Sequence, residues 1–135
     1  MHQLGRKGFR AVLWHQGESD ANQPQGRAMT SHEYAATLTR IIQTSKQEAG
    51  WEFPWFVAQV SYHTPDEPRS DLIRNGQQAL WEAGLALQGP DTDGLTGDLR
   101  ENNGQGVHFS AKGLRIHGKV WAEKVGIWLD KIIAN

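Results

Sequence analysis

The 135-residue chain has no cysteine. That excludes a disulfide framework and a thiolate metal site, and it leaves the redox compartment unreadable. Long apolar runs are missing too. Nothing approaches the ~20 consecutive apolar residues of a membrane span, and Met1–Arg10 is polar and basic, without the apolar stretch of a secretion signal. Charge of one sign is scarce: 14 Lys and Arg balance 15 Asp and Glu, for a formal net charge of −1. No basic cluster stands out, which argues against nucleic acid or an anionic membrane as the main partner. What is present is a chain 38% apolar with six tryptophans, enough for the core of one compact domain.

Along the chain, apolar runs alternate with helical periodicity. Residues 9–15 (FRAVLWH) read as a buried strand. A polar loop over 17–29, containing Pro24 and Gly26, follows. Thr30 with Glu33 forms a capping box, and Tyr34, Leu38, Ile41 and Ile42 recur at helical spacing, so residues 31–49 are predicted as a helix ended by Gly50. Residues 55–61 (WFVAQVS) read as a second strand. Leu72, Ile73, Gly76, Ala79, Leu80 and Ala83 mark a second helix stopped by Gly84. Residues 85–88 read as a short third strand ending before Gly89-Pro90, followed by a loop of about twenty residues, a length that is uncommon unless functional. Ser110 caps a last helix whose buried stripe is expected to be Leu114, Trp121, Val125, Trp128 and Ile132.

Strand–helix alternation of this kind predicts an α/β fold with a three-layer α/β/α parallel sheet. Ligands of such sheets bind beyond the C-terminal strand ends. Residues 15–20, 61–65 and 91–109 fall there, so the segment WHQGESD (14–20) lies on the functional edge by topology alone. Three strands make a small sheet, and residues 2–8 (HQLGRKG) resemble the tail of a helix. Both suggest the C-terminal portion of one larger domain whose first strands lie outside this chain.

WHQGESDA at 14–21, Tyr34 on the following helix, Ile73-Arg74-x-x-Gln77, GPDTD at 89–93 and GVHFSAKGLRIHG at 106–118 together resemble the SGNH hydrolases. Within that flavodoxin-like superfamily the likeness is to the sialate O-acetylesterase/acetylxylan esterase branch of carbohydrate esterases, and it spans about residues 8–130. The resemblance implies removal of acetyl groups from carbohydrates by a Ser-His mechanism. His108 maps to the general base, and Gln16 and Gly17 map to the oxyanion hole. No cofactor or metal is implied. The implied partner is an acetylated carbohydrate, with a homo-oligomer or a complementing N-terminal segment also open, and family members are often exported. A serine hydroxyl needs an imidazole to take its proton, and fixed donors for the tetrahedral oxyanion are each worth ~3 kcal/mol.

Two positions depart from the family pattern. No Gly-x-Ser block precedes the first strand, so the nucleophile is expected on a segment outside this chain. The position three residues before His108, where the family has an aspartate, is Gln105; Asp91, Asp93 or Asp98 could substitute. Ser19 sits in a near match to a nucleophile elbow, but a loop rather than an immediate helix is expected after it. Glu18 is open between a loop brace and a general base, and Asp20 is a turn or substrate-edge residue. His15 and His63 are candidates to touch ligand, His117 is a packed or surface residue, and Arg74 with Gln77 either braces the loops or lies on a solvated face. Trp14 is open between core and sugar platform. The alternatives to a carbohydrate esterase are an esterase of simple acyl esters and a non-catalytic carbohydrate-binding module.

Overall fold

The computed structural model describes residues 8–24 and 27–134. The helix tail expected over residues 2–8 lies almost wholly outside them, as does Gly26. The elements run β1 (Val12–Trp14), α1 (Glu18–Ala21), α2 (Ser31–Ala49), β2 (Trp55–Gln59), α3 (Asp71–Glu82), β3 (Leu87–Asp91), a 3-10 turn (Gly97–Leu99), α4 (Glu101–Gly104) and α5 (Ala111–Ile133). The sheet is parallel with order β1-β2-β3. Both crossovers therefore step the same way, and the handedness rule puts α2 and α3 on one face.

The central strand β2 alternates between the two cores. Trp55 and Val57 face α2 and α3, packing with Tyr34, Leu38, Ile42, Ile73 and Leu80. Phe56 and Ala58 face α5, packing with Trp121, Val125 and Trp128. This is the three-layer α/β/α arrangement expected from the sequence. α2 starts at the Thr30/Glu33 capping box and ends at Gly50 in the left-handed conformation (φ 72°). Ser110 caps α5 by accepting from the Gly113 N–H.

Several boundaries differ from the sequence reading. β1 is three residues long; Phe9 lies outside the ladder and packs on Trp51 and Phe53 at 4.8 Å each. Val60 and Ser61 are buried but lie past the end of β2. β3 starts later than expected and runs through Gly89 and Pro90. Pro90 is tolerated on an edge strand. Gly89 lets the backbones close up, since a Cβ there would sit 2.8 Å from the Ala58 nitrogen. The register shifts between Val57 and Gln59, the mark of a bulge.

Two helix faces differ in part from the expected ones. On α3, Leu72, Ala79 and Ala83 are exposed, while Arg74 and Gln77 are buried with Ile73, Gly76 and Leu80. On α5 the middle of the expected stripe, Trp121, Val125 and Trp128, packs on the sheet, while its ends, Leu114 and Ile132, are exposed; at the first turn it is Gly113 that faces the preceding loop, where any side chain would meet the Leu99 carbonyl. The helical segment after Gly17 is also new: residues 18–21 form one turn where a loop was expected.

Candidate active site

All three loops at the C-terminal strand ends converge. After β1 the chain turns at Gln16-Gly17. The Gln16 carbonyl accepts from the Tyr34 hydroxyl (2.7 Å) and from Gln77 Nε2 (3.2 Å). Gln77, fully buried, also accepts from the Val60 N–H (3.0 Å) and donates to the Val60 carbonyl (2.8 Å). Its amide thus continues the ladder between the ends of β1 and β2. Arg74 lies on the same helix face and donates to Asp91, Asp93 and Gln59 at 2.6–3.0 Å. Asp93 in turn accepts from the Ser61 and Tyr62 N–H groups (2.7 and 2.8 Å) and from the Ser61 hydroxyl. So Arg74 and Gln77 brace the loops. The Arg74 guanidinium holds the Asp91 carboxyl below its usual range, and Asp91 and Asp93 are committed to it.

The donors of the β1 loop are engaged by neighbouring carboxylates. Gln16 Nε2 donates to Asp20 (2.7 Å), and the Gly17 N–H donates to Glu18 Oε2 (3.0 Å). Glu18 also stands 3.8 Å from His15 Nδ1, while His15 Nε2 lies 2.9 Å from the Thr92 hydroxyl. Burial lowers the His15 pKa, against the raising effect of Glu18. Trp14, half-buried, packs on Trp55 at 5.6 Å against the core beneath α2 and α3. Ser19 is exposed, and its hydroxyl makes no hydrogen bond among the described residues.

The long loop is held by Arg100, which the sequence reading missed. Its side chain is fully buried, donates to the carbonyls of Leu95 (2.6 Å), Val107 (2.6 Å) and Thr92 (3.1 Å), and stacks between Tyr62 (4.0 Å) and Phe109 (4.2 Å). Only a lone arginine in a stretch of Asp, Gly and Asn signalled it. Phe109 and His117 then pack against the His15 ring. The loop end that bears His108 therefore reaches the β1 loop, but through Phe109. The His108 ring is 79% exposed, and its Nδ1 stands 3.4 Å from Glu101 Oε2. No hydrogen bond or ion pair joins His108 to Gln16 or Gly17 among the described residues. Asp98 pairs with Lys112. Gln105 is exposed and lines a separate cavity of about 370 Å³ with Tyr62 and Pro65.

On the other flank, His63 Nε2 accepts from Asn22 Nδ2 (2.8 Å), and its Nδ1 faces Glu67 at 3.5 Å. A cavity of about 320 Å³ opens here, lined by Ala21, Ser61, His63, Glu67, Arg69 and Ser70 among others. Among the described residues no group of His, Asp and Glu is placed to hold a metal.

This edge combines an exposed imidazole with a facing carboxylate, a braced Gln-Gly turn and polar cavities. The chain matches the family described as carbohydrate esterase, sialic acid-specific acetylesterase, over residues 1–126. It belongs to that family. No curated protein and no solved structure matches it. Membership in this esterase family agrees with the resemblance carried by WHQGESDA and GVHFSAKG, and with the parallel α/β sheet.

Proposed function

We propose that this chain supplies the general base and the oxyanion loop of a carbohydrate O-acetylesterase, with the serine nucleophile contributed from outside residues 1–135. The observation that carries the reading is the pairing of His108 with Glu101 on the loop whose next residue, Phe109, packs on His15 beside Gln16-Gly17. In this mechanism His108 Nε2 takes the serine proton as the hydroxyl attacks the acetyl carbon, and later returns it to the departing sugar oxygen. Gln16 Nε2 gives one N–H to Asp20, which leaves the other as the donor proposed for the oxyanion. The Gly17 N–H becomes available only when the Glu18 carboxylate swings off it. The polar flank formed by His63, Glu67 and Arg69 suits a sugar better than an acyl chain.

That same Glu18–Gly17 bond favours a second reading, a carbohydrate-binding module on this fold without catalysis. Hydrolysis of p-nitrophenyl acetate separates the two. The chain alone is expected to hydrolyse it no faster than free imidazole. Supplying the serine-bearing segment, in cis or as a separate chain, is expected to restore turnover, and His108→Ala to abolish it. No turnover in either form overturns the esterase reading. Stoichiometric fluorophosphonate labelling lost in Ser19→Ala would instead make Ser19 the nucleophile.

A further inference from the structure

We infer that Glu101, rather than residue 105, is the positioning residue of His108. This rests on the proposed role of His108 and deepens it.

Residues 100–109 form a small antiparallel hairpin. Arg100 and Phe109 bridge, and the Glu101 N–H donates to the His108 carbonyl at 3.0 Å. Residues 101 and 108 are therefore directly opposite each other, and opposite side chains in an antiparallel pair stand on the same face, about 5 Å apart at Cβ. Glu101 Oε2 accordingly stands 3.4 Å from His108 Nδ1, a little longer than an N–H···O hydrogen bond, as such catalytic contacts often are before substrate binds.

The hairpin is built to keep that register. Asn102 and Asn103 both take left-handed conformations (φ 51° and 56°), and Gly104 follows at φ 89°. Such backbone is costly for most side chains and least so for Asn and Gly. The Gly106 N–H closes the turn on the Glu101 carbonyl at 2.9 Å, and a Cβ on Gly106 would sit 2.9 Å from that of Glu101. Beneath it, Arg100 fastens both ends: its backbone adjoins Glu101, and its guanidinium holds the Val107 carbonyl and stacks on Phe109. Glu101 and His108 thus share one anchor. Gln105 makes no hydrogen bond to His108 among the described residues and faces the Tyr62–Pro65 cavity instead.

The consequence is chemical. A carboxylate that closes onto Nδ1 holds the neutral ring with its proton on Nδ1 and leaves the Nε2 lone pair free, and it stabilises the imidazolium once Nε2 has taken a proton. An amide at position 105 could supply neither the charge nor, from where it lies, the contact.

The pairing can be read without any catalysis. In ¹⁵N-histidine-labelled protein at a pH where His108 is neutral, long-range ¹H–¹⁵N spectra are expected to report the Nδ1–H tautomer. Glu101→Ala is expected to shift His108 toward the Nε2–H form that imidazoles favour in water, and Glu101→Gln, which keeps an acceptor, to retain more of the Nδ1–H form. Gln105→Ala is expected to change nothing. A tautomer unaffected by Glu101→Ala, or altered by Gln105→Ala, overturns the inference. In the serine-supplied enzyme, Glu101→Ala is expected to lower kcat by about 10²- to 10⁴-fold at nearly constant KM, with partial rescue by Glu101→Asp. Wild-type protein that shows the tautomer but no hydrolysis would overturn the esterase reading and leave the pairing standing. Hydrolysis that survives Glu101→Ala unchanged would overturn the pairing's role and leave the esterase reading standing.

Discussion

Gly17 is the residue on which the candidate site closes. A Cβ there would run into the Val60 carbonyl, sit 2.7 Å from Gln77 Nε2 and 2.9 Å from Ile73 Cγ2. These contacts come from the end of β2 and from α3, so the turn after β1 can approach both only without a side chain. Overpacking a tight site costs about 1–3 kcal/mol. Gly17→Ala is therefore expected to lower the unfolding free energy by that amount in urea titration, while Ser19→Ala, at an exposed hydroxyl without a partner among the described residues, stays within ~0.5 kcal/mol of wild type. An unchanged midpoint for Gly17→Ala would show that the turn can move aside. The position of WHQGESD was legible in sequence because a polar heptapeptide at the end of a strand falls on the ligand edge of a parallel sheet. Its wiring was not. That Glu18 folds back onto the Gly17 N–H, and that Asp20 takes the Gln16 amide, depends on side-chain geometry that residue order does not encode.

The loop between β3 and α5 could be recognised by its length, but what holds it could not. Arg100 gives three carbonyls a charged donor and fills the gap between Tyr62 and Phe109. Arg100→Leu leaves those carbonyls without it and is expected to cost about 3 kcal/mol. Hydrogen exchange should quicken in the amides of residues 95–109 before those of α2 and α3. Uniform exchange across the molecule would mean that the loop does not open as a unit. The same contrast runs through the other elements. α2 was readable end to end because its capping box, apolar stripe and terminal glycine agree. β3 was misread because Gly89-Pro90 signals a turn wherever no neighbouring backbone or sheet edge is known. On α3 the pair Arg74 and Gln77 stayed open between a brace for the loops and a solvated face, because such residue types are mostly exposed. Only the three-dimensional arrangement reveals Asp91, Asp93 and the ladder end at Val60 as their partners.

At the scale of the whole molecule, α5 is docked onto the sheet partly through an uncharged histidine. His117 packs edge-on to His15 at 4.6 Å and stacks on Phe109 at 4.8 Å, and its Nε2 accepts from Trp121 Nε1 at 3.0 Å. The indole is a donor only, so a proton on Nε2 would set two donors against each other. Burial first, then the charges of His15 and Arg100, push the His117 pKa down from 6.5 to about 4. The sign follows. Between pH 6.5 and about 4 the unfolded chain binds a proton at His117 that the folded chain refuses, so the folded state loses stability as pH falls. This contribution is complete above 6.5 and gone below about 4. His15, lowered by burial, adds in the same direction. Asp91, held below the ordinary carboxylate range by Arg74, titrates under this window and leaves it distinct. Urea midpoints measured from pH 7 to pH 4 should therefore fall for the wild type and fall less steeply for His117→Gln, whose amide oxygen can accept from Trp121 without titrating. Parallel slopes for the two proteins would show that α5 stays docked whatever the charge on His117.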